Sequence, residues 1–280
     1  MNLENVRPKK RSKLRITLGK IYYTYKRKWI WVLKHKSYAR QQSEERLSYQ
    51  AITHCTPLLR QLKNVDMWYQ HNKIINLQIA IKQLDGLILE PGKTFSYWRS
   101  IGKPTRRKGY VEGMVLHYGK FMPGIGGGLC QLSNLIFWMT LHTPLQITER
   151  HRHSFDVFPD SNRTQPFGSG ATCSYNYMDL QIHNPSANTY QLSLKLKDGY
   201  LIGEWRCSNP QLYRYEVYEG SHHIQMAYWG SYIRNNTIRR RIYNGQNVQL
   251  DDEFIAENYA IMMYQPYLEH TDTRNARRRS

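Results

Sequence analysis

The amino-acid sequence predicts an α+β fold in which helices come first and antiparallel strands follow. Residues 41–84 and the apolar run that begins at Cys130 are typical of helices, whereas short alternating runs separated by turn residues follow Leu145. Helices that are segregated from strands along the chain indicate this fold class. The 280 residues, of which 40% are apolar, are enough to bury a sizeable core.

Residues 1–40 form a strongly basic arm. Thirteen Lys or Arg residues and no acidic residue lie between Arg7 and Arg40, and the first 43 residues carry +12 of the formal net charge of +19. The pattern predicts a basic amphipathic helix, because apolar residues recur at steps of three and four, the spacing of one helical face. These residues are Leu14, Leu18, Ile21, Tyr22, Tyr25, Trp29, Val32 and Leu33.

Three roles are open for this helix. It suits an anionic membrane surface, it suits nucleic acid, or it packs on the protein body through its apolar stripe. The longest uncharged apolar run in the arm, Trp29–Leu33, is far shorter than the roughly 20 residues that span a bilayer, and no signal-peptide pattern is present. We therefore expect a cytoplasmic protein with peripheral contact at the inner face of the membrane, and nucleic acid is the less favoured partner.

The next elements are predicted as helices and then strands. Residues 41–84 have mostly helical character, and we expect Pro57 to open one of the helices. Leu87–Glu90 and Lys93–Trp98 have the pattern of two strands on either side of a turn at Pro91-Gly92.

A glycine-rich turn leads into the first candidate site. The stretch GIGGGLCQLSN, from Gly124 to Asn134, places four glycines within five residues and then Cys130 at the start of an apolar helix. Unpaired N–H groups and the helix dipole at such a position favour a thiolate. The pattern predicts a cysteine nucleophile. The alternative is that Cys130 is a small buried apolar residue, as most free cysteines are.

Histidines that could serve as a base follow within 25 residues. His142 lies on the same helix, about 18 Å along the axis from the cysteine, which is too far for proton transfer. His151 and His153 are two residues apart in a strand-like stretch and therefore share a face. Either could act as the base that a cysteine nucleophile requires. No third ligand lies at a useful spacing, so we expect neither a metal nor another cofactor.

The C-terminal part is predicted to consist of antiparallel strands. Gln191–Lys197 and Tyr200–Arg206 flank Asp198-Gly199, which predicts a hairpin with a type I′ turn. Residues 213–265 are predicted as short strands. The predicted breaks are Glu219-Gly220, Asn235-Asn236 and Asn244-Gly245.

The central third of the chain resembles the VanW-like family. The resemblance extends from Leu89 to Asn184 and includes the core pattern GGGLCQLSN and the segment RHRHSFDVF. It implies a family core at residues 85–185, with a β-rich part at residues 186–280 packed on it. It also implies an accessory role in glycopeptide resistance, and some relatives that face the cell wall are regarded as L,D-transpeptidases that use the family cysteine.

The resemblance also assigns roles to individual residues. Cys130 is the implied nucleophile and His153 the implied base, with Asp156 or Asp179 to orient the imidazole. The N–H groups of Cys130 and Gln131 are candidates for an oxyanion hole. The remaining residues implied in substrate approach and binding are Gly126, Gly127, Gly128, Gln131, Ser133, Arg152 and Ser154.

The function that we expect on these grounds is cysteine-dependent acyl transfer or peptide hydrolysis. Its substrates would be the peptide stems of peptidoglycan or of its precursors. One alternative is a protein without enzymatic activity that binds a cell-wall precursor, with the glycine-rich turn holding an anionic group. The second alternative is a basic nucleic-acid-binding protein, which rests on the N-terminal arm alone.

Overall fold

The computed structural model describes residues 12–59, 66–117, 119–157 and 165–266. The first eleven residues of the predicted basic arm, and residues 60–65 of the predicted helical segment, lie outside the described residues. Two single turns of 3-10 helix, His35–Ser37 and Arg106–Lys108, accompany the α-helices. The α-helices are α1 (Lys13–Leu33), α2 (Met67–Lys82), α3 (Tyr97–Ile101) and α4 (Cys130–Thr140).

The strands of the described residues form four sheets. In hydrogen-bonded order these are β1-β10-β9-β2, β11-β12-β13-β7, β3-β8-β6 and the β4-β5 pair. All pairings are antiparallel except that of β7 with β13. The predicted α+β class is confirmed. The strands are β1 (Tyr49–Pro57), β2 (Ile88–Leu89), β3 (Thr94–Ser96), β4 (Glu112–His117), β5 (Lys120–Ile125), β6 (Gln146–Glu149), β7 (Phe155–Asp156), β8 (Gln181–His183), β9 (Tyr190–Lys197), β10 (Tyr200–Cys207), β11 (Arg214–Met226), β12 (Tyr232–Tyr243) and β13 (Gln249–Met262).

The predicted helical segment at residues 41–84 is only partly helical. α2 occupies its second half, but β1 (Tyr49–Pro57) is a strand that pairs with β10 along its length. Pro57 is the last residue of this strand and does not open a helix. Pairing with a strand about 150 residues later in the chain overrides the local helical pattern, as tertiary context commonly does.

The predicted hairpin is confirmed, and so is the predicted strand, turn, strand unit, except that Tyr97 and Trp98 begin α3 and do not end the second strand. β2 and β3 flank Pro91-Gly92, although they join different sheets. β9 and β10 pair through Asp198-Gly199, whose φ angles of 51° and 80° are the left-handed values that a type I′ turn requires.

The C-terminal strands are longer than predicted. Residues 214–262 form three long strands rather than many short ones. Glu219-Gly220 is a bulge inside β11, and Asn235-Asn236 lies in the middle of β12. Asn236 is tolerated there because its Nδ2 donates to the Phe167 carbonyl at 2.7 Å, which satisfies a buried polar group. Only Asn244-Gly245 is a true turn, between β12 and β13.

Helix α4 is the central core element. It packs on β1, β6 and β10, and its buried residues include Leu132, Leu135 and Phe137. The Trp205 side chain of β10 is fully buried against it and donates from Nε1 to Thr140 Oγ1 at 3.1 Å. The apolar character of α4 is therefore explained by burial on most of its faces.

Helix α1 docks on the body with an orientation opposite to the one that its apolar stripe suggests. Trp31 is 8% exposed, whereas Trp29 is 67% exposed together with the rest of the predicted stripe. The alternative in which this helix packs on the body through that stripe is therefore wrong. Among the described residues, no helix has the length and apolarity needed to span a bilayer.

Candidate functional site

The cysteine is where the sequence places it, at the first residue of α4. The buried Tyr97 hydroxyl donates to the Leu129 carbonyl at 2.8 Å and fixes the chain just before this helix. Cys130 is partly exposed, and its Sγ lies 3.9 Å from the Cys173 carbonyl oxygen. Burial raises the pKa of the Cys130 thiol. The expected resting thiolate is therefore wrong, because the fold removes the sulfur from solvent and this disfavours the charged form.

The glycine-rich turn is packed into the fold rather than open to a ligand. The N–H groups of Gly126, Gly127 and Gly128 donate to the carbonyls of Val111, Gly124 and Met114 at 3.0 Å each. These donors are therefore occupied, although the sequence suggested that they shape substrate approach or hold an anion.

Two of these glycines allow close approach of neighbouring chain segments. A Cβ on Gly127 would lie 2.1 Å from the Gly113 carbonyl carbon, so the turn crosses β4 backbone to backbone. A Cβ on Gly128 would lie 2.2 Å from Lys73 Cγ, and the φ of Gly128 is +89°. The glycine content of the turn is explained by this packing.

At the start of α4, the Cys130 N–H is a backbone donor that is open to a reacting group. The Gln131 N–H donates to the Gly128 carbonyl at 3.0 Å and is therefore not the oxyanion donor that the sequence suggested. For the Cys130 N–H, the described residues provide no acceptor. A helix N-terminus with such a donor favours negative charge.

The two polar side chains of the first turn of α4 hold neighbouring segments. Gln131 Nε2 donates to Thr56 Oγ1 at 2.9 Å and to the Pro57 carbonyl at 3.0 Å, which ties α4 to the end of β1. Ser133 Oγ is buried and lies 2.7 Å from the Ala171 carbonyl, to which it donates. In this structure both predicted binding residues make contacts that position the cysteine.

Residues 150–154, which include His151 and His153, are called the histidine segment below. This segment and Cys130 both contact residues 172–173. The Thr172 N–H donates to the His151 carbonyl at 2.8 Å, while Cys130 Sγ faces the Cys173 carbonyl. Downstream, Arg152 donates to the Tyr259 carbonyl, and the Ser154 carbonyl accepts the Ile261 N–H at 3.0 Å. These contacts with β13 fix the position of the histidine segment.

The two histidines of this segment differ in environment. His151 is partly exposed, and its Nε2 lies 3.0 Å from Glu149 Oε1. Burial, with a contribution from the Arg150 cation, lowers the pKa of His153 to about 4, so this imidazole is neutral at pH 7. In the part of the chain that the structure describes, no hydrogen bond joins an imidazole to Cys130 Sγ.

The two aspartates proposed to orient the base have other partners. Asp156 Oδ2 accepts the Tyr264 hydroxyl at 2.8 Å and lies 3.4 Å from Arg234 Nη1. Asp179 is fully buried and accepts Ser96 Oγ at 2.5 Å and the Trp98 N–H at 2.9 Å.

Burial raises the pKa of Asp179 to about 6. Its hydrogen bonds fix the start of α3 and do not reach an imidazole. The role of Asp179 in this structure is therefore to hold the backbone beside the site.

The carboxylate that contacts a histidine here is Glu149, which the sequence reasoning missed. It also accepts Arg27 of α1 in a two-pronged ion pair of 2.5 Å and 2.5 Å. Burial alone would raise the pKa of Glu149, but hydrogen bonds from His151 and Arg27 lower it below the ordinary value. Glu149 thus joins α1 to the histidine segment.

The described residues contain no group of three His, Cys, Asp or Glu side chains that could hold a metal ion. What they bring together is the thiol of Cys130, the N–H of the same residue at the helix N-terminus, and a histidine segment that contacts Thr172, the neighbour of the Cys173 whose carbonyl faces the sulfur.

Comparison with known proteins identifies the family. The model of VanW-like proteins matches residues 72–206. The chain is 33% identical over 239 residues to the vancomycin B-type resistance protein VanW of Enterococcus faecalis (strain ATCC 700802 / V583). The aligned region covers 85% of this chain and 86% of that protein. This chain belongs to the VanW-like family.

A second relative matches less of the chain. The uncharacterized protein YoaR of Bacillus subtilis (strain 168) is 30% identical over 127 residues, 45% of this chain and 40% of that protein. No solved structure matches significantly. The matched VanW-like region begins inside α2 and ends inside β10, so it includes Cys130 and the histidine segment, whereas α1 lies outside it.

Proposed function

We propose that this VanW-like protein is an accessory protein of vancomycin-type glycopeptide resistance. In this proposal it acts on peptide stems of peptidoglycan or its precursors by acyl transfer or hydrolysis, with Cys130 as nucleophile. The name of the related Enterococcus faecalis protein supports the resistance role. The observation that carries the chemistry is the position of Cys130 as the first residue of α4, where the residue is partly exposed and its N–H has no acceptor among the described residues.

The neutral thiol determines the order of events. Because burial raises its pKa, the proton leaves Cys130 only as the sulfur attacks, and a base must accept it. His153 is neutral at pH 7 and is the proposed acceptor, although the burial that lowers its pKa to about 4 also makes it a weak base. No hydrogen bond joins the two groups among the described residues, so the proposal requires the His153 side chain to turn toward the sulfur when substrate binds, while β13 holds Arg152 and Ser154 on either side of it.

The reaction balances as two acyl transfers. Sulfur attacks the carbonyl carbon of a stem peptide bond, the oxygen becomes an anion near the Cys130 N–H, and the thiol proton passes to His153. The C–N bond then breaks, the leaving amine takes that proton, and a thioester remains on Cys130. An acceptor amine or a water molecule attacks the thioester and returns the thiol.

A binding protein without catalysis is the second candidate, and the raised thiol pKa favours it. In that case Cys130 matters only as a small residue at a helix N-terminus. The glycine N–H groups, which the sequence suggested as donors to an anionic group, already donate to backbone carbonyls. The donor for an anionic group of a precursor would then be the Cys130 N–H.

The test uses purified full-length protein and a synthetic stem peptide with an amine acceptor, with products followed by mass spectrometry. Cys130→Ala should abolish product, and His153→Gln should lower the rate by about 10²–10⁴-fold. Cys55→Ala, at an exposed cysteine on β1, is the matched control and should leave the rate unchanged. Full turnover by Cys130→Ala would exclude the catalytic proposal, and unchanged precursor binding by that variant without turnover in either protein would favour the second candidate.

A further inference from the structure

The outward face of α1 is an apolar surface without a partner among the described residues. Its large apolar side chains are between 49% and 69% exposed, which is unusual for a contiguous set. They form one stripe along the helix, which we call the outer stripe: Leu14, Leu18, Ile21, Tyr22, Tyr25, Trp29, Val32 and Leu33.

The body fixes which way this stripe points. At about 100° per residue, the outer stripe covers a sector roughly 120° wide, and Thr24, Arg27 and Trp31 lie on the opposite side of the helix. That side is the docked one: Arg27 pairs with Glu149, Trp31 is buried, and the Thr24 carbonyl accepts Asn176 Nδ2 at 3.4 Å. Turning the stripe inward would break the Arg27 ion pair.

Cationic side chains border the outer stripe. α1 contains six Lys or Arg residues and no acidic residue. By the helical angle, Lys28 lies along one edge of the stripe and Lys26 along the other. Their Nζ atoms sit 5.6 Å from the Tyr25 ring and 6.0 Å from the Tyr22 ring, so the positive charges stay close to the apolar surface. Long basic side chains in this position reach past an apolar layer to anionic head groups.

We propose that α1 is a membrane-docking helix that lies along an anionic lipid surface with the outer stripe inserted among the acyl chains. Apolar residues at the centre and cations at both edges fit a lipid interface. Nucleic acid would require the cations at the centre of the contact. A second copy of the helix would bring six like charges against six.

This docking would set the distance of the site from the membrane. Arg27 of α1 and His151 both contact the Glu149 carboxylate, so the lipid-facing helix and the histidine segment share one anchor. The docking proposal itself does not depend on any chemistry at Cys130.

The experiment is sedimentation of the full-length protein with vesicles of phosphatidylglycerol and phosphatidylcholine, and with vesicles of phosphatidylcholine alone. We expect binding to the anionic vesicles only. The double variant Leu18→Glu/Val32→Glu, in the outer stripe, should bind about tenfold or more weakly. The matched control is Leu212→Glu/Phe254→Glu, which makes the same change in charge at two apolar side chains outside α1 that are 74% and 59% exposed. This control should bind the anionic vesicles about tenfold or more tightly than the α1 variant does.

Each outcome decides the proposal. Equal loss of vesicle binding in both double variants would mean that net charge alone drives adsorption and would overturn it, as would equal binding to both kinds of vesicle or to neither. Retention on duplex DNA by the Leu18→Glu/Val32→Glu variant, without vesicle binding by the parent protein, would assign α1 to nucleic acid instead. Identical thermal unfolding of the two variants would show that folding is not the cause of a difference.

Discussion

Alanine at Gly127 has no room, because the glycine-rich turn crosses β4 at this residue. A Cβ there would lie 2.1 Å from the Gly113 carbonyl carbon and 2.3 Å from its oxygen. Both are backbone atoms, so no side-chain rotation relieves the contact. The Gly127 carbonyl also accepts Asn76 Nδ2 at 2.9 Å, and moving the turn away would lengthen this buried hydrogen bond.

The expected loss of stability follows from these two effects. Overpacking a tight contact costs about 1–3 kcal/mol, and weakening a buried hydrogen bond costs about 0.5–1.5 kcal/mol. We expect Gly127→Ala to lower the free energy of unfolding by about 2–4 kcal/mol. Gly245→Ala is the control, since a Cβ at Gly245 meets no atom within 4 Å, and it should stay within about 0.5 kcal/mol of the parent protein.

Urea denaturation followed by tryptophan fluorescence and circular dichroism measures both variants. Gly92→Ala separates strain from collision, because Gly92 has a φ of +73° but no atom within 4 Å of its Cβ position. It should cost about 1–2 kcal/mol through backbone strain alone. If Gly127→Ala were as stable as Gly245→Ala, the packing explanation for the glycine-rich turn would be refuted.

Three further predictions concern the charges and the thiol. At pH 7, iodoacetamide should alkylate Cys130 more slowly than the exposed Cys55, because burial raises the pKa of the Cys130 thiol. Peptide mass spectrometry gives the ratio of the two alkylation rates, and a faster reaction at Cys130 would contradict the neutral thiol. Burial raises the pKa of Asp179 to about 6, so its protonated form stabilises the native state below pH 4 and this contribution is lost as the pH rises to 6. Asp179→Asn should therefore gain about 3 kcal/mol relative to the parent protein between pH 4 and pH 7 in urea denaturation, and a constant difference would refute this assignment. Arg27→Met removes the ion pair with Glu149, so it should weaken the docking of α1 by about 1.5–3 kcal/mol and speed proteolysis within that helix. Lys20→Met, at an exposed lysine of the same helix, should do neither. Equal digestion of the two variants would show that the ion pair does not hold α1.

The features that the sequence predicted correctly depend on local signals. α4 begins at Cys130 because glycines end and an apolar run starts there, and the Asp198-Gly199 turn is specified by two adjacent residues. β1 was missed because its strand character comes from pairing with β10, far along the chain.

The site was harder to predict because its contacts are between distant residues. Arg27 and Glu149 are 122 positions apart, and no spacing rule connects them. Glu149 and His151 are two residues apart in an extended segment, so a period of two would have placed them on one face. The ionisation of Cys130 was predicted wrongly because a helix N-terminus is visible in the sequence, whereas the burial that raises the pKa is a property of the folded chain.

The most direct test of the proposed chemistry is to trap the covalent intermediate. The full-length protein is mixed with the stem peptide without an acceptor, quenched in acid and digested, and the cysteine-containing peptides are weighed. We expect the mass of one acyl group on Cys130, removed by hydroxylamine as a thioester is, and no such mass on Cys55 or in the Cys130→Ala variant. Turnover of the peptide with no acyl group on Cys130 at any time would contradict the account.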